Sequence, residues 1–327
     1  SSHNFGYRKV YILRIPNNGM KKQTVTCPKC KNNNVIKWCK RHTKNRGDIQ
    51  RYFCKDCKKH FVINDGFYRM RNSENKITLC LDLFFRGIST RSIQKHLQAF
   101  YPQNSSWVSI YEWIIKYSNL INEFTNKLNV QAGNELMSDE VEYRRRISHK
   151  AKLGIEPNWF VDVMDTKTRY IISSNYMQSR TIENMSKVLA LAKQKTGNQV
   201  NVVTTDGLAG YPRILRKTFG LKSPYQATSK TRSKIIHNVV ISDERGFNHK
   251  IERLHNNIRA RTKVFRGFHG SLYSAQSIMK GWEIYYNFIR VHQAINKCPY
   301  ELAIPTLKLE NNNKWLELIQ LSKGLKK

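Results

Sequence analysis

Glu135-Leu136-Met137-Ser138-Asp139, Asn158-Trp159-Phe160-Val161-Asp162-Val163-Met164-Asp165 and Arg169-Tyr170-Ile171-Ile172-Ser173 are three strand-like runs in succession. They can form an antiparallel meander. Behind them Met185, Val188, Leu189 and Leu191 recur at helical spacing over Thr181 to Lys195, and Val200-Asn201-Val202-Val203-Thr204-Thr205 returns as a strand that stops at Asp206-Gly207. Three strands, a helix, a strand and then helices spell a mixed sheet with helices on its faces, an α/β domain over residues 135–305.

Upstream of this domain the texture is helical. Ile77, Leu79, Leu81, Leu83 and Phe84 precede a break at Gly87-Ile88-Ser89-Thr90, and Ser105-Ser106 caps a further run through Val108, Ile110, Trp113, Ile114 and Ile115. Short capped helices over 66–134 suggest a helix-turn-helix reader with Ser109 to Lys116 as recognition helix; the alternative is a plain helical bundle with Trp113 in its core. Gln131-Ala132-Gly133-Asn134 marks the boundary with the sheet domain.

Residues 23–65 carry two cysteine pairs, Cys27-Pro28-Lys29-Cys30 and Cys54-Lys55-Asp56-Cys57. Each pair can turn as a knuckle with both sulfurs toward one ion, and four thiolates close a tetrahedral zinc site, so a zinc ribbon is expected. Gln50-Arg51-Tyr52-Phe53 enters the second knuckle as a strand. Cys39 is a substitute candidate ligand, whereas Cys80 and Cys298 lie in apolar surroundings as core residues. Residues 1–22 form a basic lead-in with one strand-like piece, Val10 to Leu13, and residues 306–327 form a tail with no evident role.

The 57 Lys and Arg against 23 Asp and Glu leave a formal net charge of +34, which draws a polyanion and makes nucleic acid the default partner. No apolar run approaches the ~18 residues of a bilayer span and the first residues lack a signal-peptide core, so a cytoplasmic protein is expected. Cysteine pairs of this kind fit metal ligation in a reducing compartment better than disulfides.

In so basic a chain, carboxylates at the ends of apolar strands stand out, because an unpaired charge there is costly. Asp139 and Asp206 occupy such positions, and Glu252 lies beside the stripe Ile251, Leu254 and Ile258 on a predicted helix. Asp, Asp and Glu offer the hard oxygens that Mg2+ or Mn2+ takes, and two such ions ~4 Å apart serve phosphoryl transfer. Glu140 and Glu142 rival Asp139, Asp162 and Asp165 are candidate additional ligands, and Asp243 and Glu244 rival Glu252. Asp139 is preferred to Glu140 because strand alternation aims only one of two neighbours at a site.

The stretches Leu136-Met137-Ser138-Asp139-Glu140, Val202-Val203-Thr204-Thr205-Asp206-Gly207 and Asn248-His249-Lys250-Ile251-Glu252-Arg253, with the basic continuation Arg259 to Phe268, resemble the three acidic blocks of DDE transposases of prokaryotic insertion sequences, most like the IS6-type group. Tyr286-Asn287-Phe288-Ile289-Arg290-Val291-His292, followed by Pro299 and Ala303, is similar to their closing segment. The resemblance implies an RNase H-like catalytic domain over 135–305 behind the zinc ribbon and helix-turn-helix. It implies a recombinase with Asp139, Asp206 and Glu252 on two Mg2+ or Mn2+ ions, cleaving at transposon ends and joining the 3′-hydroxyl to target double-stranded DNA. Arg144, Arg145, Arg146 and Lys150, with Arg259, Arg261, Lys263 and Arg266, would then grip phosphates. Two ends must meet, so a homodimer or larger assembly on nucleoid DNA is expected. The rival readings are a catalytically silent, transposase-derived regulator and an RNase H-like nuclease that cuts without joining.

Overall fold

The computed structural model describes residues 25–44, 46–100, 105–146, 155–197, 199–220, 235–240, 249–262 and 268–324. The lead-in over 1–22 lies outside them. The chain divides into two compact units, one ending at Ile63 and one beginning at Asn64.

The first unit is a three-stranded antiparallel sheet, β1 (Val35–Thr43), β2 (Gly47–Cys54) and β3 (His60–Val62), in that order. Gly47, at a φ of 64°, takes the left-handed conformation that turns β1 into β2. The first cysteine pair forms a turn ahead of β1, and the second forms the turn between β2 and β3. In both, the residue after the second cysteine is also left-handed, Lys31 at 63° and Lys58 at 56°. The first turn is closed by the Lys31 amide on the Cys27 carbonyl at 2.9 Å, the second by the Cys54 amide on the Lys59 carbonyl at 3.0 Å. Asn32 and Asn34 both donate to the Asp56 carboxylate, at 2.9 and 2.7 Å, and brace one turn against the other.

The second unit is built on five strands: β4 (Glu135–Glu142), β7 (Trp159–Asp165), β8 (Ile171–Met177), β9 (Val202–Thr205) and β10 (Ile236–Val239). Their order is β10-β9-β4-β7-β8. The expected meander is present, since β4, β7 and β8 pair antiparallel, and β9 and β10 run parallel to β4. The strand β7 is buried along nearly its whole length, as a central strand covered on both sides must be.

Register decides what each face offers. Asp139, Asp162 and Ser174 lie in one row across β4, β7 and β8, and Ser138, Val163 and Ser173 lie in the next, facing the other way. Helices α4 (Ile182–Thr196) and α5 (Tyr211–Phe219) cover the Ser138 face, where the Ser173 hydroxyl donates to the Val188 carbonyl at 2.8 Å. Helices α6 (His249–Thr262) and α7 (Leu272–Ile284) cover the Asp139 face, where the Ser174 hydroxyl meets Glu283 and His255 meets Asp162. A second small sheet of two-residue strands, β5 (Arg145–Arg146), β6 (Ile155–Glu156) and β11 (Phe268–His269), extends from the end of β4.

The helices before the sheet are α1 (Glu74–Phe85), α2 (Thr90–Phe100) and α3 (Trp107–Thr125), started by the Ser73 cap on α1 and the Ser106 cap on α3. The proposed recognition helix, Ser109 to Lys116, is the first half of α3, with Ile110, Trp113 and Ile114 buried. Helix α3 lies on α7, joined by Asn119 to Ser277 at 2.9 Å. Contact is close enough that a methyl group on Gly281 would collide with Phe85 and Ser118. The boundary expected at residue 134 therefore falls inside one continuous core.

The last segment is ordered structure. After a π-helical turn, Tyr285–Ile289, and α8 (Pro299–Ala303), the chain forms α9 (Lys314–Leu321). Trp315, Leu318 and Ile319 are buried, and Trp315 stacks on Phe85 of α1 at 5.4 Å. Trp282, Tyr285 and Tyr286 are core residues, with Trp282 stacked on Tyr286 at 5.5 Å, and Cys80 and Cys298 are buried as expected.

Candidate metal centres

The acidic centre follows from strand register. Met137 of β4 pairs with Thr204 of the parallel neighbour β9, so two residues further on Asp139 and Asp206 stand side by side where β9 ends. Asp206 also shapes the turn there, its Oδ1 accepting the Leu208 amide at 3.0 Å. One oxygen each of Asp139, Glu140 and Asp206 lies within 4.8 Å of the other two.

Glu140 enters this cluster from the opposite face, as alternation requires. Its Oε1 accepts Arg180 and its Oε2 accepts the Tyr211 hydroxyl of α5, both at 2.8 Å. Both oxygens are thus engaged. Asp139 faces α6, where the buried His255 stands between two carboxylates, with Nε2 2.7 Å from Asp162 and Nδ1 3.4 Å from Asp139. The second oxygen of Asp162 has no hydrogen-bond partner among the described residues.

Burial pushes the Asp139 carboxyl up to about 7, with Asp162 and Asp206 adding to the rise and His255 and the Glu140 amide opposing it. Glu140 is raised for the same first reason, burial, with Asp206 reinforcing it against Tyr211 and Arg180. His255 feels burial most, which lowers it, yet Asp162 and then Asp139 outweigh that and leave the imidazole raised. A cluster of acids held where their charge is disfavoured is relieved by a divalent cation, and the donors are hard oxygens.

Glu252 lies half-buried on α6, one helical turn before His255, and is not among the three clustered carboxylates. Asp165 is spent on structure: one oxygen takes the Gly133 amide at 2.8 Å and the other takes the Thr168 amide and hydroxyl at 2.8 and 2.6 Å. Asp243 and Glu244 lie outside the described residues.

The second centre is the thiol set. Sulfurs of Cys27, Cys30, Cys54 and Cys57 all lie within 4.8 Å of one another, with Cys27 to Cys57 and Cys30 to Cys54 both at 3.5 Å. Burial, the largest influence on Cys27, raises its thiol, but the amides of Cys30 and Lys29 and the Cys57 thiol carry it down to about 6. Cys39 is exposed on β1 and takes no part.

No protein-family model matches the chain, and no curated protein matches it. Among solved structures, the Drosophila P element transposase strand transfer complex matches at 12% identity with a TM-score of 0.32, over 82% of this chain and 66% of that one. The chain spans just under two thirds of that chain's length. Likeness at that level assigns no activity to this protein.

The candidate phosphate contacts divide. Arg144 and Arg259 are exposed, and Arg144 also pairs with Glu142 at 3.3 Å. Arg145 is buried, its Nη1 donating to the Gly270 carbonyl at 3.0 Å, which commits it to the small sheet rather than to a surface. The backbones of Arg146 and Arg261 belong to β5 and α6, with their side chains outside the description, and Lys150, Lys263 and Arg266 lie outside the described residues. Among the described residues no helix is long and apolar enough to cross a membrane.

Sequence reasoning missed His255 and the Arg180 and Tyr211 partners of Glu140. A signal for His255 existed, a polar residue adjoining the stripe Ile251, Leu254 and Ile258. Arg180 and Tyr211 carried none.

Proposed function

We propose that this protein is a DDE-type DNA transposase that cleaves at the ends of its element and joins the freed 3′-hydroxyl to target DNA. The observation that carries the reading is the pairing of Asp139 and Asp206 at neighbouring parallel strands of a five-stranded mixed sheet, beneath a helix that bears Glu252 and sets His255 on Asp139. The donor set suits Mg2+ or Mn2+. Two such ions, held by Asp139, Asp206 and Glu252, would supply an activated attacking oxygen and a stabilised leaving one.

The chain's own residues do the rest. Glu140, already engaged by Arg180 and Tyr211, forms the wall of the site and leaves Asp139 and Asp206 to turn toward an ion. Exposed Arg144 and Arg259, with Arg146, Lys150, Arg261, Lys263 and Arg266 along the same segments, hold DNA phosphates. Four thiolates hold a structural Zn2+ with no position open for chemistry. Because two ends are joined in one event, at least two copies act together.

The test is a cleavage and strand-transfer assay on labelled element ends in Mg2+ or Mn2+. Wild type yields joined products, and Asp139→Asn, Asp206→Asn and Glu252→Gln bind DNA but yield none, while Glu140→Gln retains activity. Cleavage without joining would turn the reading into a nuclease, and binding without either product into a regulator. An inactive Glu140→Gln beside an active Glu252→Gln would move the third ligand to β4.

A further inference from the structure

The proposed chemistry leaves unused a cluster of rings on the cysteine-bearing unit. The β1–β2 ladder runs Val35 to Cys54, Ile36 to Phe53 and Lys37 to Tyr52, then resumes with Cys39 opposite Arg51. Trp38 is the extra residue of a β-bulge, a device that re-aims a side chain. The indole stands against two other rings, Phe53 at 5.4 Å and His60 at 5.1 Å, which themselves lie 4.7 Å apart. Three strands therefore contribute one ring each. Trp38 nonetheless remains 56% exposed, supported from one side and open on the other.

Charge selects what could cover it. Between residues 25 and 63 the only acids are Asp48 and Asp56. Both are occupied, Asp48 by His42 at 2.9 Å and Asp56 by Asn32 and Asn34. Lys37, Lys40, Arg41 and Arg51 share the strands that carry Trp38 and Phe53. A second copy of this unit would bring the same positive charge and be repelled. A partner must be an anion that also presents a flat π face. Duplex DNA hides its base faces in the stack, whereas an unpaired base offers one beside its phosphate.

We propose that Trp38, backed by Phe53 and His60, is a stacking platform for an unpaired base of single-stranded DNA, with the neighbouring lysines and arginines on its phosphates. The proposal rests on the DNA reading of the chain and adds to it a strand state and a place. Bulge geometry and ring support hold the indole in one orientation, so stacking adds little ordering cost.

The test uses the full-length, zinc-loaded protein without added Mg2+ or Mn2+, and fluorescence anisotropy with one labelled sequence as single-stranded DNA, duplex DNA and single-stranded RNA. Trp38→Ala weakens single-stranded DNA binding at least about 5-fold and leaves duplex binding within about 2-fold, since stacking acts per unpaired base. Trp38→Phe keeps most of the affinity, and zinc content equal to wild type shows that the unit is folded. Equal losses on single strand and duplex, no loss on either, a stronger effect on RNA than on DNA, or a change in oligomeric state each overturn the platform. A wild type that joins DNA ends while Trp38→Ala binds single strands normally sinks the platform alone. A wild type that binds no DNA sinks the underlying reading with it.

Discussion

The thiol centre and the carboxylate centre use the same currency of convergent anionic ligands, yet they are built in opposite ways. Cys27, Cys30, Cys54 and Cys57 are brought together by two local turns, each fixed by a left-handed residue and a backbone hydrogen bond. Asp139 and Glu140 of β4 meet Asp206 at the end of β9, far away in the chain, and only the register of the sheet sets their spacing. Local geometry closes a structural site, whereas long-range register leaves an acidic one adjustable. In the first the metal would make the fold, and in the second the fold makes room for the metal.

The strongest way to break this contrast is to remove zinc. A chelator, or Cys54→Ser, unfolds residues 25–63 and leaves the five-stranded sheet intact, since structural zinc contributes about 10–16 kcal/mol in small folds; proteolysis and amide exchange of the two units read this out. Next, Asp206→Asn lowers strand transfer by roughly a thousandfold, several kcal/mol of transition-state stabilisation. It leaves metal-free Tm unchanged or higher, because one of the converging like charges is gone. A drop in Tm would mean that the acids hold the fold together. Third, His255→Asn weakens Mn2+ binding about 10-fold or more by loosening Asp139, measured by direct metal titration.

Smaller effects sharpen the picture within the second unit. Gly281→Ala forces a methyl group into Phe85 and Ser118 and costs about 1–3 kcal/mol by denaturant unfolding, with the zinc site unaffected. A second effect in this unit is one of pH, at Lys195. Burial pulls this lysine from 10.5 down to about 8, with Glu283 opposing and Lys280 assisting. Between about 8 and 10.5 the unfolded chain holds the proton that the folded chain has lost, so stability rises with pH across that window. Lys195→Met flattens that rise.

The cysteine site was legible because ligand type and short spacing carry nearly all of its geometry. Asp139 and Asp206 were legible because each stands where an apolar run stops. The alternation argument assigned Asp139 and Glu140 to opposite faces correctly, but did not foresee that Asp206, at the end of β9, reaches both. The strands β5, β6 and β11 are two residues long and leave no periodic signal, so Arg145 read as surface charge. Helix α9 is different: Trp315, Leu318 and Ile319 stand at helical spacing in the sequence, and only their position in a polar tail concealed them.

Lys31 and Lys58 hold a backbone conformation that glycine adopts without strain. Four thiolates around Zn2+ make a dianion, and these two lysines, one beside each cysteine pair, bring two compensating charges. Glycine at both places would relax the chain and remove two of the positive charges that Lys29, Lys31, Lys55, Lys58 and Lys59 place in and beside the cysteine pairs. With these lysines beside it, the double negative charge of a bound zinc tetrathiolate would be offset, so it would not repel a phosphate backbone passing over the unit.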